Sequence, residues 1–233
     1  MNGGCMPEFL DYELHYLAML DELANSPEVK VFHEERGPIE EMVGDASETF
    51  ELIADEVGIH LDQSLHRTFL RFEGLSSHWA IERPGTYLTG EFSICHLGAA
   101  MLVTGVDLAT DETPEEERRI YSQLRAFDEH PRGGGGTLTG LRILPGMSAP
   151  EIWYYGGPQG VFKLDLGYDE YLDALLVMKG VYSWQYLFAD VSMLDMDFAA
   201  AVDAIKEMLE IFPGLFPGHD YAPFRARLME RIG

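Results

Sequence analysis

Adjacent Cys95 and His96, in the segment EFSICHL, are the residue types of a thiol nucleophile and its base. A thiol attacks only after a nearby base makes it a thiolate. Neighbours along an extended strand point to opposite faces, so these two do not form that pair. The expectation is a structural cysteine beside a hydrogen-bonded histidine. PRGGGG, residues 131–136, has the glycine density of a phosphate cradle. It lacks the Lys-Ser/Thr of a P-loop and the spacing of a dinucleotide turn. Four consecutive glycines predict a mobile loop instead. His60, Asp62 and His66 lie across a helix start, and of these only Asp62 and His66 have the i, i+4 relation that shares a helical face. Asp62 is expected to serve the helix dipole rather than a metal. His15, His33, His78, His130 and His219 are scattered and pair with nothing recognisable. No residue is assigned a catalytic or metal-binding role, and no cofactor is implied.

Trp153, Tyr154, Tyr155, Trp184 and Tyr186 have the types that line recognition grooves. Sheet-core packing with one or two rings at the rim accounts for them more simply. In GYDEYLDALLVMKGVYSWQYLF, residues 167–188, Asp169 and Glu170 open a helix, Lys179 stands in its last turn and Gly180 just beyond, as the macrodipole and cap geometry favour. Tyr168, Tyr171, Leu172, Leu175 and Leu176 form its apolar stripe. Trp184 then plugs the core.

The 233 residues carry 40 Asp+Glu against 16 Lys+Arg, a formal charge of −24. Such a field repels phosphate backbones and anionic lipid while steering cationic partners inward. Nucleic-acid and membrane-surface binding are therefore disfavoured. The excess is uneven, because residues 1–60 hold 15 acids against Lys30 and Arg36 alone. The two cysteines, Cys5 and Cys95, make no disulfide framework and fit a reducing compartment. No apolar run approaches a membrane span, so a soluble cytoplasmic protein is expected.

Leu10, Leu14, Leu17 and Met19/Leu20 recur at helical spacing, with Asp11, Glu13, Asp21 and Glu22 on the other side. A second helix is predicted from Pro38 through Met42, Val43, Ala46, Phe50, Ile53 and Val57 to a Gly58 cap, and a third from Ser64 to Phe72. These three helices make the first third of the chain helical, and Glu34-Glu35 and Glu40-Glu41 read as solvated helix faces. Strands are predicted at 77–82, 91–97, 140–144, 151–155 and 161–166, joined by turn signals that favour antiparallel hairpins. Residues 98–139 are expected as an insertion whose helix begins at Thr113-Pro114-Glu115-Glu116 and turns Ile120, Leu124 and Phe127 inward. Two C-terminal helices follow. The first starts at Asp197 and stops at Pro213, and the second, 222–232, carries a basic patch of Arg225, Arg227 and Arg231 suited to the acidic first third.

The string FELIADEVGIHLDQSLHRTFLRFEGL, residues 50–75, followed by HWAI, resembles the opening of the SUKH superfamily, which includes bacterial toxin-immunity proteins and fungal cell-wall regulators. There a helix, a Leu-Pro step and a second helix ending in Asn-Gly precede the strands. Here Asp62 stands in place of the proline and Glu73-Gly74 in place of Asn-Gly. Tyr168, Tyr171 and Leu172 match the family's late helical element. The resemblance spans residues 38–188 without 98–139. It implies an α+β fold, a twisted and mostly antiparallel sheet flanked by helices, with no active site. The expected organisation is an acidic helical extension (1–37), an α+β core (38–190) and C-terminal helices packed on it (191–233).

The expected function is a non-catalytic immunity-type protein that neutralises a basic partner such as a toxin. Asp11, Glu13, Asp21, Glu22, Glu34, Glu35, Glu40 and Glu41 are its expected contacts. The alternatives are a ligand-binding protein or enzyme built around Cys95/His96, and a regulatory scaffold.

Overall fold

A computed structural model describes residues 8–40, 43–102, 106–144 and 146–233. Its centre is one seven-stranded antiparallel sheet in sequential order, open at both edges. The strands are β1 (Val29–Arg36), β2 (Leu75–Ile81), β3 (Thr89–Ile94), β4 (Arg125–His130), β5 (Thr137–Arg142), β6 (Glu151–Tyr155) and β7 (Val161–Lys163). The helices are α1 (Asp11–Asn25), α2 (Ala46–Val57), α3 (Leu97–Leu102), α4 (Glu115–Tyr121), α5 (Tyr168–Met178), α6 (Ala199–Leu215) and α7 (Ala222–Ile232). The architecture is α+β, as the residue pattern predicts. No helix among the described residues is long and apolar enough to cross a membrane.

Two strands depart from expectation. β1 lies in the stretch expected to be helical, and it pairs along its length with β2. Its Val-Lys-Val start is a strand signal, but the register slips between Val31 and His33 and the period of two is lost before Glu34-Glu35-Arg36. β4 lies in the expected insertion, so residues 98–139 supply the middle strand of the sheet. Its Asp128 is buried in the core, where it accepts from the Tyr171 hydroxyl at 2.7 Å and the Ser93 N–H at 2.9 Å. A charged residue in a central strand masks the apolar signal, and this one is tolerated because both oxygens have donors.

Helix boundaries shift for local reasons. α2 begins at Ala46, not Pro38, because the Asp45 carboxylate accepts from the Glu48 N–H; Gly58 ends it at φ 72°, as expected. Residues 38–40 instead cross to the Phe69–Phe72 segment through the Ile39–Phe72 bridge and the Glu40 N–H bond to the Arg71 carbonyl. Met42 lies outside the described residues. The Ser64–Phe72 helix is a 3-10 turn over Gln63–Thr68. α4 is a short helix without a side-chain cap, and α6 runs through Pro213 to Leu215.

The sheet is not continuous across its middle. β3 and β4 share one ladder pair, Ile94–Asp128, continued by the Cys95 N–H bond to the Phe127 carbonyl at 3.0 Å, while residues 180–182 fill the space beside the other end of β3. There the Glu91 N–H bonds the Gly180 carbonyl at 2.8 Å, and Tyr182 N–H bonds Thr89 O at 3.2 Å. Gly180 has φ 73°, and a Cβ on it would lie 2.4 Å from the Glu91 carbonyl oxygen, so glycine is required on both counts. Trp184, just beyond, is fully buried, with its ring 4.9 Å from that of Tyr171. The stretch from α5 through Trp184 is thus a wedge and plug for the core.

Candidate interaction surfaces

Cys95 and His96 follow directly after β3 and face different partners. The thiol lies 3.8 Å from the Ala126 carbonyl, and burial pushes its pKa up to about 11. His96 accepts from the Ala99 N–H through Nδ1 at 3.1 Å and meets Glu40 through Nε2 at 2.6 Å. A protonated thiol and an imidazole already held on both nitrogens do not make a nucleophile–base pair.

The glycine loop does cradle an anion, and the anion is the protein's own. Glu91, buried in β3, accepts from the N–H groups of Arg132 (2.8 Å), Gly133 (2.8 Å) and Gly134 (2.9 Å). The Tyr182 hydroxyl adds a bond at 3.2 Å. Burial alone would raise this carboxyl, but the three backbone donors override it and hold it below the usual carboxylate range. The concave row of N–H groups suggested by the glycines is therefore a clasp closing the gap between β3 and β4.

His60 and His66 border one shallow groove with Phe50 and Leu61. The Asp62 side chain accepts from the Ser64 N–H at 2.8 Å, and the His66 ring stands edge-on to Phe50 at 4.6 Å. Among the aromatics, Tyr154, Trp184 and Tyr186 are buried. Trp153 and Tyr155 are half-buried, and Trp153 is held by Glu151 at 3.0 Å beneath the Arg142 guanidinium.

The acids expected as partner contacts divide into two groups. Glu13 is fully buried, and its carboxylate binds Arg71 Nε (2.9 Å) and Nη2 (2.7 Å) and the Leu10 N–H (2.8 Å). The buried face of α1 runs through Glu13, Tyr16, Leu20 and Leu23, leaving Leu10 and Leu14 exposed, so the apolar stripe inferred from Leu10 and Leu14 is rotated. Glu22 is engaged by Lys179 and His219, and Glu40 by His96. Asp11, Asp21, Glu34 and Glu35 remain at the surface, Asp21 and Glu34 sharing Arg36 and Glu35 accepting from Ser76 at 3.4 Å. Glu41 lies outside the described residues.

The C-terminal arginines also point inward rather than to the acidic first third. Arg225 donates to the Leu209 carbonyl, Arg227 to Leu187 O and Asp165, and Arg231 to the carbonyls of Ala189 and Val191.

Free negative charge gathers instead on α2. Phe50 and Ile53 turn inward, while Glu48, Glu51, Leu52, Asp55 and Glu56 lie exposed at i, i+3, i+4, i+7 and i+8 of one face. None of these four carboxylates forms an ion pair among the described residues, and no Lys or Arg occurs between Gly37 and His66. Leu52, 47% exposed, sits within the acidic stripe. That thirty-residue gap in basic residues was the available sequence signal. A scan against family models, a search of curated proteins and a search of solved structures each found no match.

Proposed function

We propose that this chain is a non-catalytic binding protein of the immunity type, which neutralises a basic protein partner such as a toxin. The observation that carries the proposal is the outer face of α2, where four carboxylates with no ion pair among the described residues surround an exposed leucine. Acidic faces of this kind accelerate encounter with a cationic partner and fix its orientation, and the apolar residue supplies the contact that slows departure. Asp11, Asp21, Glu34 and Glu35 extend the field without being locked in the core. Against a nuclease-like partner the same charges compete with nucleic acid for a basic groove. The Cys95/His96 alternative gains no support from the arrangement of those two side chains.

The test uses the full chain immobilised beside a variant carrying Glu48→Lys, Glu51→Lys and Asp55→Lys, each exposed to an extract of the native host at low salt. A basic protein should be retained by the unmodified chain, elute as salt rises and be lost on the variant; co-expression should then relieve any toxicity of that protein. Retention that ignores both salt and the substitutions contradicts the proposal.

A further inference from the structure

On a chain this rich in carboxylates, Arg231 forms no ion pair among the described residues. Its Nη2 donates to the carbonyls of Ala189 and Val191, both at 2.6 Å. No carboxylate of the described residues comes within ion-pair distance. Burial, and then the charge of Arg227 one turn back, push its pKa below the usual arginine range. Asp190, Glu230 and Asp165 act on it through space in the opposite sense, without pairing, and do not offset that downward push.

Arg227 and Arg231 share a face of α7 and, with Lys163 at the end of β7, line a cleft of about 480 Å³ closed by Phe188, Ala189 and Asp190. An adjoining cavity of about 530 Å³ shares Lys163, Leu164, Asp165 and Arg227 with it but adds the carboxylates of Glu151 and Glu170, so the cationic part of the groove is the first cleft, where Arg231 lies. Arg227 pairs with Asp165 at 3.1 Å, but that aspartate is 84% exposed. Lys163 pairs with Glu151 at 2.6 Å and is itself 55% exposed. The other partner of each pair is less exposed, Arg227 at 29% and Glu151 at 17%, so an entering oxyanion displaces Asp165 from Arg227 and competes with Glu151 for Lys163.

We propose that the cleft between β7 and α7 binds an oxyanion, a carboxylate or phosphate group, through Arg231 with Arg227 and Lys163. Guanidinium groups present paired N–H donors that fit either. The mean field of the chain discourages anions, so an anion that binds here does so through local geometry rather than general attraction. This site is separate from the acidic face of α2, and neither proposal depends on the other.

The experiment titrates the full chain with inorganic phosphate and, separately, with glutarate, at ionic strength held constant with sodium chloride. The arginine Nε–H resonances are followed by NMR. Saturable shifts of Arg227 and Arg231 are expected from at least one anion, and which one responds assigns the ligand class. Arg231→Gln should weaken the binding at least tenfold. If that variant does not fold, as judged by circular dichroism, Lys163→Gln at the exposed rim should weaken binding about threefold. Absence of a saturable shift from both anions overturns the proposal, as does unchanged affinity in a folded variant.

Discussion

Lys179 Nζ lies 2.5 Å from Glu22 Oε2, and both reach His219 Nε2, at 3.2 and 2.8 Å. The residue expected to decorate the last turn of α5 is instead a fully buried ammonium above the Phe216 ring. It joins α1, α5 and the α6–α7 connection. Burial pushes Lys179 down, and Glu22 is held below the usual carboxylate range because bonds from Lys179 and His219 outweigh its own burial.

Glu22→Gln leaves that buried ammonium with a weaker acceptor and should lower stability by about 1–3 kcal/mol at neutral pH. A carboxylate with a depressed folded pKa contributes stability above the ordinary carboxylate range and loses it as pH falls through the depressed value. The depressed lysine acts only at alkaline pH, where stability rises as pH climbs toward the ordinary lysine value, so it does not enter the acid-range measurement. Urea unfolding across the acid range should therefore show the Glu22→Gln deficit shrinking as pH drops. A deficit independent of pH contradicts this account.

For the buried pair of Glu13 and Arg71, Arg71→Met strands a carboxylate with only the Leu10 and Arg71 N–H groups. The expected cost is about 3–5 kcal/mol, measured by denaturant unfolding. Association with a basic partner should be unaffected in whatever fraction remains folded, since Glu13 is not at the surface.

Glu91→Gln tests the clasp. An amide cannot accept on both of its polar atoms, so at least one of the three loop N–H groups loses its partner, at about 1–3 kcal/mol. In a chain of this size that corresponds to a fall of about 2–4 °C in Tm per kcal/mol. Amide exchange at Gly133 and Gly134 should accelerate more than exchange in β5 or β6. Uniform acceleration would show that the carboxylate does not organise the loop.

Cys95, its thiol pKa pushed up to about 11, should alkylate far more slowly than a free cysteine of pKa about 8.5. Peptide-resolved mass spectrometry after iodoacetamide treatment at pH 7.5 separates it from Cys5. Labelling of Cys95 is expected to lag a small-molecule thiol by on the order of a hundredfold; parity would reopen a nucleophilic role.

Trp184→Ala removes a fully buried ring against Tyr171 and Phe188 and should cost about 3–5 kcal/mol. Loss of partner binding by a variant that retains its unfolding midpoint would move Trp184 from the core to the interface.

The α+β class, β6, α7 and the role of the Trp184 plug were legible because each rests on a local signal: alternation, capping, or an apolar stripe ending at a glycine. β1 was not, since its bulge breaks the alternation where the charged residues begin. β4 was hidden for a different reason. Asp128, Glu129 and His130 give no apolar signal, and the donors that let Asp128 be buried, Tyr171 and Ser93, lie 43 and 35 residues away. The same nonlocality places Glu13 and Lys179 in the interior and ties Glu22 to Lys179 and His219. A sequence window sees the cost of burying a charge, whereas the compensating partner is fixed by tertiary structure.

The placement of Gly180–Tyr182 beside Thr89–Glu91 bears on how the chain is made. β4 covers only the Ile94 end of β3, and the backbone groups that seal its Thr89–Glu91 end are about ninety positions downstream in the chain. Until they are synthesised, that end of β3 is an open edge, the feature that recruits stray strands. Ribosome-bound chains that stop before residue 180 should therefore depend on holdase chaperones far more than chains that extend past Trp184.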